Sequence, residues 1–243
     1  MITRFLLDEA PHVVLVGSGK GGVGKSLLSI LLAAEAANAG RRVLLFDADL
    51  NLGTLHVLLG LRPAARVDAL LDSPIEPADL VCRVSRDLWL LPGTGGVERL
   101  HDMPALERAR LELRLSAVFS SYDLVIVDSG SGLDGAIRSA TISADRLIVV
   151  ATPEPAALTG AYALMKVAHL KSPTIPIDVL VNRCQSDAEG VAAFDKLSTA
   201  CSQFLDREIR HIGTIVEDAS LTLAARDPEQ CLTQCLTMIR RAS

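Results

Sequence analysis

The stretch Gly17-Ser-Gly-Lys-Gly-Gly-Val-Gly-Lys-Ser26 constrains this chain more than any other. It sits between an apolar run, Val13 to Val16, and a long apolar helical pattern that begins near Lys25. Gly19, Gly24, Lys25 and Ser26 fit the spacing G-x-x-x-x-G-K-[ST]. Glycines at that spacing let consecutive backbone N–H groups turn inward on phosphate oxygens, while the lysine reaches the outer phosphates. The serine hydroxyl suits a magnesium ion. The predicted local structure is therefore strand, phosphate loop, helix. Lys20 is an additional cation inside the loop, where a plain phosphate loop needs none.

The remaining composition narrows the class. With 243 residues, 49% of them hydrophobic, and a mean hydropathy of +0.34, the chain is too apolar for disorder and fits one large α/β domain. Its net charge is −5 and its Lys and Arg residues are scattered, which argues against nucleic-acid binding. The five cysteines include no C-x-x-C pair, so neither a disulfide framework nor a zinc or iron–sulfur site is expected. Met1 to Pro11 is too short and wrongly flanked for a signal peptide, and the apolar helix Leu27 to Ala39, broken by Ser29 and Glu35, falls short of a membrane span. A cytoplasmic protein is expected.

Apolar β-rich runs at His12–Gly17, Arg42–Phe46, Leu88–Leu91, Leu124–Asp128, Leu147–Ala151, Ile177–Asn182 and His211–Val216 alternate with helical patterns. The helical stretches are Lys25–Ala39, Pro104–Phe119, Leu133–Ser143, Glu154–Leu170, Ala188–Phe204 and Pro228–Arg240. Most of the strands lack in/out alternation, as strands covered on both faces do. The pattern predicts an α/β fold, a mainly parallel sheet flanked by helices on both faces, in one domain spanning 1–243. Residues 1–11 form a short N-terminal extension, 228–243 carry a C-terminal helix, and the loop-rich Arg62–Leu100 region is an excursion within the domain.

Ligands of such sheets sit at the carboxyl ends of the strands, and the polar clusters fall there. Asp128 closes Leu124-Val-Ile-Val127 and is the candidate acid for the Mg²⁺ shell, although a strand-end aspartate also serves as a helix cap. Asp47 and Asp49 follow Val43-Leu-Leu-Phe46 and alternate, so both are expected to face Mg²⁺ and water, with solvated loop acids as the plain alternative. Lys25 already serves the chain's own phosphates. Lys20 is thus either an exposed loop lysine or a cation delivered to a second subunit, where it would stabilise charge on a transferred phosphoryl group.

These residues carry a resemblance. Lys20-Gly-Gly-Val-Gly-Lys-Ser26 resembles the deviant Walker A loop of the MinD/ParA group of P-loop (SIMIBI) ATPases, and Phe46-Asp-Ala-Asp-Leu50 and Asp128-Ser-Gly-Ser-Gly132 resemble its two switch segments. Thr152 to Lys166, Val181-Asn-Arg183, Glu189-Gly190 and Ile212 to Asp218 resemble the FlhG/FleN/YlxH branch, which regulates flagellar number and placement. The resemblance implies an ATPase with slow hydrolysis that uses ATP and Mg²⁺ and forms a homodimer around two nucleotides. Lys20 and Asp49 are then the catalytic residues. Gly19, Lys20, Gly21, Gly22, Val23, Gly24, Lys25, Ser26 and Leu27 hold the phosphates, Asn182, Arg183, Val216, Glu217 and Asp218 surround the adenine, and Ser26, Asp49 and Asp128 serve the metal. An asparagine after a strand also makes a turn, so the choice of adenine rests on the family and on the absence of a guanine-specific N-K-x-D. The implied partner is a protein of a flagellar or polar assembly, with nucleic acid disfavoured. The alternative within the group is a partitioning or positioning ATPase acting on DNA or on another cell-envelope assembly.

The chain departs from the family pattern in switch I, with Asn51 for Gly, Thr54 for Asn and His56 for Asp. Its Met1–Pro11 segment lacks the D-Q-A-x-x-L-R motif that activates the partner GTPase FlhF. Leu232, Leu236 and Ile239 form a helical stripe beside Arg240 and Arg241 that reads as core packing more than as a membrane face, so the resemblance gives only weak support for a peripheral place at the inner face of the cell membrane.

Overall fold

A computed structural model describes residues 12–49, 53–72, 74–94, 104–131 and 144–217. The first half contains β1 (Val13–Ser18), α1 (Lys25–Asn38), β2 (Val43–Ala48), short helices α2 (Leu55–Leu58) and α3 (Ala69–Asp72), a 3-10 turn at Pro77–Leu80, β3 (Cys82–Arg83) and β4 (Leu88–Leu91). The second half contains α4 (Ala105–Phe119), β5 (Leu124–Ser131), β6 (Arg146–Ala151), α5 (Pro155–Lys171), β7 (Ile177–Cys184), α6 (Asp187–Leu205) and β8 (Arg210–Val216). The strands form one eight-stranded sheet in the order β3-β4-β2-β5-β1-β6-β7-β8. Every pairing is parallel except that of β3 with β4.

The doubly buried strands explain the continuous apolar runs. In β1, Val13 and Leu15 belong to a core shared with Ala161 and Leu164 of α5, while Val14 and Val16 belong to a second core with Leu28 and Ala33 of α1. In β5, Val125 and Val127 face the first core, and Leu124 and Ile126 face the second. A strand covered on both faces needs apolar residues at every position, so in/out alternation disappears.

The expected strands are present, with ends moved by a few residues. One difference matters: β5 does not stop at Asp128 but continues to Ser131, which pairs with Ser18 after a register shift in β1. The Arg62–Leu100 excursion supplies α3, the 3-10 turn and the antiparallel edge strand β3, none of which has a clear periodic signal. The expected segments 1–11, 133–143 and 228–240 lie outside the described residues.

At the amino ends of β6, β7 and β8 the carboxylate of Asp178, 1% exposed, accepts from Arg146 Nη1 at 2.8 Å and from Arg210 Nε at 2.9 Å. A buried carboxylate needs such partners, and these two guanidiniums tie the three strands together at the edge away from the glycine-rich loop.

Candidate functional site

The loop between β1 and α1 is shaped by glycine. Gly22 and Gly24 have φ of 78° and 89°, left-handed values that cost an L side chain about 1 kcal/mol or more. Gly24 is also the N-cap of α1, whose first turn carries no acidic residue, so the exposed N–H groups and the positive end of the helix dipole meet an anion without opposition. Val23 is buried, Leu27 half-buried, and Gly21 exposed at the tip. Gly19 lies against α5: a Cβ on Gly160 would stand 2.6 Å from the Gly19 carbonyl oxygen. The loop is thus seated on α5 by a backbone-to-backbone approach.

At the base of the loop a buried polar cluster links three elements. Lys25 Nζ donates to Asp128 Oδ1 at 2.8 Å, with the two side chains 9% and 3% exposed. Ser29 Oγ donates to the same oxygen at 2.7 Å. Ser26 Oγ, half-buried, lies 3.4 Å from Lys25 Nζ. Asp47 and Asp128 are register partners on adjacent strands, so the sheet itself sets two carboxylates side by side.

Asp47 departs from its expected role. It is 1% exposed and accepts from Leu55 N at 2.9 Å and from Asp49 N at 3.3 Å, so it faces the interior and fastens the chain that follows β2. Burial pushes its carboxyl up to about 6, the two N–H donors oppose that, and the charges of Asp128 and Asp49 add to it. Gly53 and Gly93 are close against Asp47, where a Cβ on Gly53 would stand 2.9 Å from Oδ2. Asp49 is half-buried beside Gly130, whose added Cβ would lie 3.3 Å from Asp49 Oδ1. Asp49 thus stands at the mouth of the cluster and Asp47 beneath it, not both facing outward. His56 is buried, and its Nε2 takes a hydrogen bond from Arg66 Nη2 at 3.0 Å, which requires the neutral ring.

Lys20 is turned away from the base of its own loop. Its Nζ is 2.6 Å from Glu154 Oε2, and both side chains are about half exposed. This ion pair holds the Glu154 carboxyl below its usual range. On the far side of the loop, Asn182 Nδ2 donates to the Val23 carbonyl at 2.8 Å, which leaves the amide oxygen as an acceptor. A Cβ on Gly24 would collide with that same Nδ2. Arg183, in the left-handed region at φ 57°, pairs with Glu217 Oε1 at 3.0 Å. Val216 is exposed beside it, and Asp218 lies outside the described residues.

Glu154, Arg183 and Glu217 border a cleft of about 300 Å³ that Thr152, Pro153, Gln185 and Glu189 also line. The Thr152 hydroxyl is buried and has no hydrogen-bond partner among the described residues, a polar atom that a bound polar ligand would satisfy. Among the described residues no three His, Cys, Asp or Glu side chains converge on a metal position. The Ser26 hydroxyl and the Asp128 carboxylate, both oxygen donors, fit a hard cation such as Mg²⁺ completed by phosphate oxygens and water. Among the described residues, Lys25 and Asp128 meet at the base of the loop, with Ser26 beside them, and Asn182 reaches the loop carbonyl of Val23; Lys20 instead pairs with Glu154, and Asp47 faces the interior. Thr152 and Glu154 belong to the strand-end segment that the sequence places at this edge, whereas the roles of Ser29 and Gly160 were not foreseen; Ser29, a polar break in a mostly apolar helix, carried a visible signal.

Comparison with known proteins identifies the family. The model of an AAA domain family, AAA_31, matches residues 11–175. The antiactivator FleN of Pseudomonas aeruginosa is 32% identical over 215 residues, covering 88% of this chain and 77% of that protein. The flagellum site-determining protein YlxH of Helicobacter pylori is 30% identical over 86% of this chain and 70% of its own length. The septum site-determining protein MinD of Pyrococcus horikoshii, solved with Mg-ADP, superposes with a TM-score of 0.72 at 22% identity, covering 95% of each chain.

Proposed function

Since this chain belongs to the MinD/ParA-type P-loop ATPases, with FleN and YlxH among its relatives, we propose that it is an ATP-driven dimerisation switch that regulates flagellar number or placement. Like the rest of that family it is an ATPase and uses ATP with Mg²⁺. The observation that carries the dimer is Lys20. It is half exposed, stands outside its own loop base, and among the described residues its ammonium is held by a surface carboxylate, a weak and exchangeable pair that leaves it available to a second subunit.

In this reading the N–H groups of Gly21 to Ser26 cradle the phosphates. Lys25 leaves Asp128 for the outer phosphates, and Ser26 and Asp128 serve the magnesium shell. Mg²⁺ held there would supply positive charge against the phosphoryl oxygens. Asp49, at the mouth of the buried carboxylate pair, orients the attacking water. Asn182 reads the adenine edge through its free amide oxygen, with Arg183 and Glu217 flanking the base. Lys20 of one subunit exchanges Glu154 for the phosphates of the other. A switch needs a ligand that binds one state better than the other, and the γ-phosphate contacts supply that difference.

The dimer's output is a surface for a protein of the flagellar or polar assembly. Among the described residues no helix is long and apolar enough to cross a membrane. A DNA-bound role has less support, because the net charge is −5 and the basic residues are scattered. The test is Lys20→Ala. The variant is expected to bind ATP normally yet remain monomeric in Mg·ATP by size-exclusion chromatography with light scattering; an unchanged ATP-dependent dimer refutes the role of Lys20.

A further inference from the structure

We propose that Ser29 is a positioning residue for the magnesium-side carboxylate: it holds Asp128 in place when Lys25 swings to the nucleotide. This rests on the phosphate-loop reading above. Ser29 is a polar residue on the buried face of α1 and is 0% exposed, a position where a hydroxyl is costly unless it is used. Its Oγ lies 2.7 Å from Asp128 Oδ1 and 3.1 Å from the Lys25 carbonyl. A hydroxyl has one proton to give. The carboxylate is nearer and charged, and the carbonyl is already engaged by the helix, so the proton goes to Asp128.

Both donors to Asp128, Lys25 Nζ at 2.8 Å and Ser29 Oγ, converge on one oxygen, Oδ1. One of them is mobile. Lys25 is the residue that the phosphates require, and once it turns to them a carboxylate 2% exposed loses its ammonium partner. Ser29 remains. It sits one turn along the rigid helix α1 from Lys25, so its donor stays in place whatever the lysine does. The hydrogen bond keeps Oδ1 occupied and fixes the rotamer that presents the rest of the carboxylate to the ion's hydration shell. Outer contacts of this kind tune metal affinity by tenfold or more when removed.

The experiment titrates Mg²⁺ against the protein and a fluorescent, non-hydrolysable ATP analogue, with a parallel titration of the analogue in EDTA. In Ser29→Ala the Mg²⁺ concentration at half-saturation should rise about tenfold, equivalent to about 1.4 kcal/mol, while binding in EDTA changes less than about twofold. Ser29→Thr, which keeps the hydroxyl, should restore the wild-type Mg²⁺ curve. An unaltered Mg²⁺ curve in a folded Ser29→Ala protein overturns the proposal, as does equal weakening with and without Mg²⁺, which marks a structural role only. Should Ser29→Ala fail to fold, Ser29→Cys, close in size and a weaker donor, is read in the same way. If the wild type shows no Mg²⁺-dependent binding at all, the phosphate-loop reading itself fails.

Discussion

Asp47→Asn isolates the electrostatic cost of the buried carboxylate pair. Asp47 is 1% exposed, its register partner is Asp128, and its carboxyl is pushed from an ordinary 3.8 up to about 6, chiefly by burial. Between those two values the folded chain keeps a proton that the unfolded chain has released. The site's contribution to stability is therefore complete below about pH 4 and is lost as pH rises through about 6. At about 1.4 kcal/mol per tenfold, the whole effect is about 3 kcal/mol, of which about 2 kcal/mol falls between about pH 4.5 and about pH 7.5. Asparagine keeps a carbonyl acceptor for Leu55 N but cannot ionise. Urea unfolding in EDTA without nucleotide, at those two pH values, should show the wild type losing about 2 kcal/mol more than Asp47→Asn. Parallel pH dependences in the two proteins would refute the reasoning.

Three other substitutions probe the site. Gly160→Ala places a Cβ 2.6 Å from the Gly19 carbonyl, a backbone atom that cannot yield cheaply, so ATP affinity by calorimetry should fall about tenfold with the fold retained. Lys25→Ala strands the buried Asp128 carboxylate and should cost about 3 kcal/mol of stability in urea without nucleotide, much of it recovered in Lys25→Ala/Asp128→Asn. Glu154→Gln removes the intrachain partner of Lys20; sedimentation in Mg·ATP should show dimer at lower protein concentration than for the wild type, with ATP binding unchanged.

The sequence made the sheet legible because doubly buried strands announce themselves as unbroken apolar runs such as Leu124-Val-Ile-Val127. It made the phosphate loop legible because only glycine adopts the φ found at Gly22 and Gly24 at low cost. What it concealed were effects of tertiary proximity. Asp47 and Asp49 alternate on paper, yet the Asp47 carboxylate is buried and accepts from both Leu55 N and Asp49 N, while Asp49 is half-buried. His56, which departs from the family pattern, proves to be a buried acceptor for Arg66, ten residues away. Gly160 reads as an unremarkable helix residue until α5 is laid on the phosphate loop. The Asp178 bridge to Arg146 and Arg210 joins three strands that no local pattern relates.

The claim on which the account stands is that the nucleotide site is completed by a second copy of the chain. The most direct measurement is the mass of the wild-type protein by light scattering, in Mg²⁺ with a non-hydrolysable ATP analogue and in Mg·ADP. Twice the monomer mass is expected in the first and the monomer mass in the second. The same mass in both nucleotides, at concentrations that saturate binding, would contradict that claim.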